Sequence, residues 1–274
     1  MTREEKLISD AIDTRTPSVA RMYDWLLDGV DNYAADRKAC EELLGIAPSS
    51  KVLARNNRAF LRRVVQVLAQ EYGIRQFLDH GSGLPTQDNV HQVAQRVDRS
   101  SRIVYLDTDP IVLAHGRSRL DQNDRVAVLQ ADMRETEAIF GTPEVRQLIR
   151  QDECTAALFV SVVHCLKDED VLPMLAAVRA RLKPGSFFVI CQLVSDRADI
   201  RNRVTDLMDQ ATGGNWGRVR TAGEVRAYFD ALGLEIIEPG LCDVTDWRPD
   251  TELMPRPKSD DWVEWGGVGR VPIR

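Results

Sequence analysis

No run in the chain is long and apolar enough to suggest a bilayer span, and the first fifteen residues are charged throughout, with no apolar segment of the kind a secretory leader carries. A cytoplasmic protein with no membrane partner is the expectation. Cysteine is sparse: Cys40, Cys154, Cys165, Cys191 and Cys242 form no close pair, and the chain holds only 4 histidines, so neither a disulfide framework nor a metal site is expected. An excess of positive charge is also missing. With 36 Lys and Arg against 42 Asp and Glu, the net charge is −6, which argues against a partner held through its phosphates, such as a nucleic acid. The arginines at 55, 58, 62 and 63 form a basic stretch without interleaved aromatics, and are read as a solvated helix face. No internal repeat or low-complexity segment stands out. At 274 residues and 43% hydrophobic, the chain has enough apolar material for a sizeable core.

What is present centres on Gln76-Phe77-Leu78-Asp79-His80-Gly81-Ser82-Gly83-Leu84-Pro85. An apolar strand that ends in an acid and then two glycines one residue apart reads as a nucleotide-binding turn, because glycine lets the backbone turn tightly and approach a ligand. A second apolar run, Val104-Tyr105-Leu106-Asp107, ends in an acid placed to take both hydroxyls of an adenosine ribose. A pyrophosphate is poorly served: Thr86 stands where a third glycine is usual, Pro85 has no N–H, and Asp79 adds negative charge. The same charge attracts an ammonium or a sulfonium. S-adenosylmethionine carries both cations and no phosphate.

Along the chain, apolar spacing predicts a short helix from Pro17 to Gly29, a second over residues 33–44 and a third over 50–72. Strands are expected at 74–79, 102–107, 125–129, 155–161, 186–193, 234–238 and 262–271, the sixth following a helix at 224–232. Residues 243–261, rich in proline and charge, read as a long surface loop. Asp109 before Pro110 reads as a helix N-cap, which leaves Asp107 for the ribose. Asp132 with Glu135 three residues on also fits a capping box, and this alternative stays open beside a ligand role.

Acid-x-Gly-x-Gly followed by a second strand ending in an acid resembles the class I S-adenosylmethionine-dependent methyltransferases. More stretches resemble one bacterial S-adenosyl methyltransferase family whose acceptor is generally unassigned: Arg21-Met22-Tyr23-Asp24, Asp31-Asn32-Tyr33 with Asp36, Arg55-Asn56-Asn57-Arg58-Ala59-Phe60-Leu61, Leu106-Asp107-Thr108-Asp109-Pro110, Ala131-Asp132-Met133-Arg134, Trp247-Arg248-Pro249 and Gly266-Gly267-Val268-Gly269-Arg270. The resemblance implies an α/β, Rossmann-like fold: a seven-stranded, mostly parallel sheet with helices on both faces, its last strand antiparallel. A helical cap (1–72) then precedes the cofactor-binding core (73–274). It implies S-adenosylmethionine as cofactor, S-adenosylhomocysteine as product, and a small-molecule methyl acceptor; a homodimer is compatible with it.

Expected cofactor contacts are Asp79, His80, Gly81, Ser82 and Gly83 in the first turn, Asp107 and Thr108 after the second strand, Asp132 and Met133 after the third, and Ser161 after the fourth. His164 is the one candidate general base, since its ordinary pKa is near neutrality, with a structural role as the alternative. Tyr23, Asn32, Tyr33, Asn57 and Trp247 are candidate acceptor-pocket residues. A nicotinamide oxidoreductase and a cofactor sensor without catalysis are the rival readings.

Overall fold

In the computed structural model, residues 13–119, 123–250, 259 and 262–273 are described. Among the described residues three helices come first: α1 (Val19–Leu26), α2 (Ala34–Ile46) and α3 (Ser50–Gln70). Strand and helix then alternate through β1 (Gln76–His80), α4 (Val90–Val97), β2 (Arg102–Asp107), α5 (Pro110–Arg119) and β3 (Val126–Gln130). Two short helices, α6 (Thr136–Gly141) and α7 (Pro143–Leu148), lead to β4 (Ala156–Val160), a single 3-10 turn (Val163–Cys165), α8 (Asp168–Arg181) and β5 (Phe187–Val194). The chain continues with α9 (Ala198–Ala211), α10 (Ala222–Ala231), β6 (Glu235–Ile236), β7 (Cys242–Asp243) and β8 (Val263–Arg270).

The sheet runs β3-β2-β1-β4-β5-β8-β6, with β7 paired on β8. The first five of these strands are parallel; β8 is antiparallel to β5, β6 and β7. It is therefore eight-stranded among the described residues, one more than expected, the addition being the two-residue β7. The central strands carry no polar-apolar alternation because both faces are covered, and β1 is buried at every position. That strand starts two residues later than expected, since Ile74 N–H bonds to Leu68 O (3.0 Å) and so belongs to the turn leaving α3.

The two sheet faces organise two cores. Leu78, Phe159, Phe188 and Ile190 point to one, against α8 and α10; Phe77, Leu158, Val189 and Val268 point to the other, against α3 and α4. A third core joins Met22, Leu43 and Leu53 of the first three helices to Val204 and Met208 of α9 and to Trp216 and Trp262. Helix α3 serves both layers. Its first turns pack in the third core through Leu53 and Ala54, and its later turns cover the sheet through Phe60, Val64 and Leu68.

The stretch expected as a surface loop starts inside the protein. Val244 and Trp247 are fully buried, and Trp247 meets Phe60 edge-on with ring centroids 5.6 Å apart. Buried Arg63 donates to the carbonyls of Trp247 (3.0 Å) and Val244 (2.6 Å), which satisfies a backbone that has left the sheet. The basic stretch of α3 is thus not uniformly solvated. Residues 251–258, 260 and 261 of the expected loop lie outside the described residues.

Candidate functional site

At the carboxyl ends of β1, β2 and β4 a cavity of about 890 Å³ opens beneath the N-terminal helices. In open α/β sheets this crevice, where strand order reverses, is where ligands bind. The turn after β1 is tied to β2: Gly81 N–H and Ser82 N–H both donate to Leu106 O (2.8 and 3.0 Å), and Gly83 N–H donates to Asp107 Oδ2 (2.9 Å). Gly81 and Gly83 both have φ of +66°, a region that strains any other residue. A Cβ on Gly81 would lie 2.2 Å from Val162 Cγ2, whereas one on Gly83 would meet nothing within 4 Å. Gly81 therefore answers to packing, and Gly83 leaves open space beside the cavity it lines.

Asp107 Oδ1 also accepts from Asp109 N–H (3.0 Å), so its carboxylate is held in place at the end of β2. Burial raises it to about 6. Asp79, 5% exposed, lines the same cavity; burial raises it to about 7, with Arg58 opposing and Asp107 adding to the shift. Asp109 is the expected N-cap: its Oδ1 accepts from Ile111 N–H (2.9 Å), and its Oδ2 takes the Ser18 hydroxyl, which links the first helices to the crevice.

The cavity brings together Asp79, Gly81, Ser82, Gly83, Asp107, Thr108, Asp132, Met133 and Ser161, and, from the first helices, Tyr23 and Asn57. Asn57 Nδ2 donates to Tyr23 Oη (2.9 Å), which in turn donates to Ala54 O (3.1 Å). Asp132 is clasped by Arg134 (2.6 Å), whose hydrogen bond lowers the carboxyl's pKa. The alternative helix-capping pair with Glu135 is not formed, because α6 begins only at Thr136.

Five expected residues lie elsewhere. The His80 side chain points to the opposite face of β1 from Asp79, stacks on Phe159 at 4.2 Å and is 1% exposed; burial drives its pKa down to about 3. His164 is 2% exposed, receives Leu193 N–H on Nδ1 (3.4 Å) and packs beside Trp216; burial and the Arg220 charge hold it at about 3. It buttresses the turn after β4 and does not line the cavity. Asn32 donates to Asp24 Oδ2 (2.8 Å) and accepts from Arg37 (3.1 Å), bracing the α1–α2 turn. Tyr33 is the N-cap of α2, with Arg21 over its ring at 5.3 Å. Trp247 sits in the core against Phe60, as above.

Residues not singled out from the sequence complete the cavity. Arg58, read there as part of a solvated face, lines it near Asp79. Thr212, Asn215 and Trp216, from the segment after α9, also line it. Arg58 was legible only as one arginine among four; the helix turn that aims it inward is set by packing. Among the described residues no cluster of His, Cys, Asp or Glu could hold a metal ion.

The family profile described as S-adenosyl methyltransferase matches residues 5–272. A candidate methyltransferase from Thermobifida fusca is similar at 37% identity and TM-score 0.88, over 95% of this chain and 97% of that one. A DUF574 family protein from Streptomyces avermitilis is similar at 34% identity and TM-score 0.86, over 95% and 99%. The 1,6-didemethyltoxoflavin-N1-methyltransferase of Burkholderia thailandensis, at 18% identity and TM-score 0.50 over 78% and 79%, shares the fold. Among curated proteins none matches. Matched along nearly its whole length, the chain belongs to the S-adenosyl methyltransferase family and is an S-adenosylmethionine-dependent methyltransferase.

Proposed function

We propose that this enzyme methylates a small molecule enclosed between the sheet and the N-terminal helices, with the cofactor held along the ends of β1 to β4. The observation that carries this reading is Asp107, a carboxylate fixed by two backbone N–H groups at the wall of an 890 Å³ cavity, where two ribose hydroxyls can donate to it. Asp79 and Arg58, of opposite charge on the same wall, suit the ammonium and carboxylate of a methionyl group. Met133 and Asp132 suit the adenine, and Ser161 the region of the sulfur.

A dinucleotide is poorly served by the same turn. The helix after it starts only at Val90, and Thr86 N–H is already taken by Asn89 Oδ1 (3.0 Å), so the N-terminus of that helix does not face the glycines as a phosphate requires. S-adenosylmethionine supplies a methyl group on a positively charged sulfur. The protein's part is to align the acceptor with it and to exclude water, which the cap provides through Tyr23, Asn57 and Leu61. The scattered cysteines, present as thiols, support work in a reducing compartment such as the cytoplasm, and among the described residues no helix is long and apolar enough to cross a membrane.

Calorimetry tests the reading. S-adenosylmethionine and S-adenosylhomocysteine are expected to bind and NAD not to; Asp107→Ala is expected to lose at least about 100-fold in affinity, the low end of what two charge-assisted hydrogen bonds contribute. Unchanged affinity in that variant removes Asp107 from the site. Incubation with methyl-labelled cofactor and a small-molecule cell extract is expected to label a small product, and label appearing only in macromolecules counts against an enclosed acceptor.

A further inference from the structure

Glu264 lies on β8 opposite Leu193 of β5, deep under the first helices, and is 2% exposed. Its Oε1 accepts the Ser161 hydroxyl, while its Oε2 has no hydrogen-bond partner among the described residues. Ser161 itself follows β4 with φ of +57°, a left-handed conformation that costs a non-glycine residue energy, and lines the cavity.

The groups that face Glu264 electrostatically are Tyr23 from α1, Cys191 from β5, Cys165 from the turn after β4 and Asp243 from β7; none of them is a cation. A buried carboxyl with no counter-charge and an orphaned oxygen among the described residues is an expensive way to hold one serine hydroxyl, since an isosteric amide accepts the same bond without the ionisation. The arrangement makes sense if the carboxyl's ionisation is used.

We propose that Ser161 and Glu264 form a proton-accepting pair at the acceptor end of the cavity, armed by the cofactor's positive sulfur and serving an acceptor that presents an O–H or N–H nucleophile. This rests on the reading of the cavity as the cofactor site. As the acceptor's oxygen or nitrogen bonds to the methyl carbon, the carbon–sulfur pair stays on sulfur, the acceptor's proton passes to Ser161 Oγ, and Ser161's own proton passes to the Glu264 carboxylate. Glu264 acts through Ser161 and is a positioning and proton-holding residue. Burial, reinforced by Asp243 and opposed by the Ser161 hydrogen bond, keeps its proton on up to about pH 8 in the ligand-free protein. A positive sulfur in the cavity favours the carboxylate, which is the form that can accept.

The test needs no acceptor. The full chain, labelled with carbon-13 at the glutamate side-chain carboxyls, is titrated by NMR, with the Glu264 resonance identified by its loss in Glu264→Gln and, should that variant misfold, in Glu264→Asp. The ligand-free midpoint is expected near 8, moving down by about one pH unit with saturating S-adenosylmethionine and staying put with the uncharged sulfur of S-adenosylhomocysteine. Ser161→Ala is expected to raise the ligand-free midpoint, since the hydroxyl's hydrogen bond favours the ionised form. A midpoint unmoved by both ligands, or moved equally by both, overturns the pair. Calorimetry run alongside separates the two failures: a blank trace with S-adenosylmethionine overturns the cofactor site and the pair with it, whereas normal binding with a static Glu264 overturns the pair alone.

Discussion

Gly81 and Gly83 sit two residues apart in one turn with the same positive φ, yet they answer to different constraints. Alanine at 81 adds an overlap with Val162 to the strain of a left-handed residue; at 83 it adds the strain alone and places a methyl group in open space beside the cavity. Gly81→Ala is therefore expected to lose about 2–4 kcal/mol of stability and Gly83→Ala about 1–2. Gly83→Ala is expected to lose the greater share of its effect in cofactor affinity. Urea unfolding and calorimetry on both variants check this, and equal stability losses contradict it. The histidines teach the converse. His80 and His164 flank the site in sequence, and burial takes both out of the pH range in which a base works.

Among the elements, α3 decides most, because one helix covers the sheet with its later turns and holds the cap with its first. Trp247→Ala opens a hole against Phe60 and is expected to cost about 3–5 kcal/mol while leaving cofactor affinity within a factor of two. The cap has its own pin. Asp36, fully buried, pairs with Arg21 (3.0 Å) and accepts from Ser18 N–H (2.9 Å) and Tyr33 N–H (2.8 Å), and Ser18 in turn bonds Asp109 at the crevice. Asp36→Ala leaves an unpaired buried guanidinium, with an expected cost of about 3–5 kcal/mol. Unlike Trp247→Ala, it is expected to weaken cofactor binding severalfold, because the path from cap to Asp109 is broken. Equal affinities in the two variants contradict the cap's role.

At the scale of the whole molecule, the site sets the pH dependence of stability. Asp107, Asp79 and Glu264 are raised to about 6, 7 and 8. Between about pH 4, where these acids ionise in the unfolded chain, and pH 8, they hold protons in the folded protein that the unfolded chain has released, which lowers stability as pH rises; His80 and His164, held at about 3 by burial, act in the opposite direction up to about pH 6.5, so the net fall is expected above that point. Glu224, lowered to about 2 by Arg218, acts in the opposite direction but only below about pH 4. Thermal unfolding of the ligand-free protein from pH 4 to 9 is expected to show its optimum on the acid side of neutrality. Glu264→Gln is expected to flatten the alkaline limb by a few kcal/mol at most. A profile level up to pH 8 contradicts the burial of these charges. Saturating S-adenosylmethionine at 100 times its Kd adds about 2.7 kcal/mol at any one pH.

The order of helices and strands, the glycine turn and the acid at the end of β2 were legible in the amino-acid sequence because each is a local matter: periodicity, turn chemistry and a residue at the end of an apolar run. The antiparallel placement of β8, by contrast, came only from resemblance, since spacing along a chain does not order strands. Which polar residues face the cavity was decided by the tertiary structure. Asn57 and Arg58 point in while Asn32 braces a turn, and Trp247 belongs to the core despite its proline-rich, charged neighbours. Glu264 lies 103 residues from Ser161 in the chain and meets it only because β8 returns beside β5. A contact of that range depends on the packing of the whole sheet, and no local pattern encodes it.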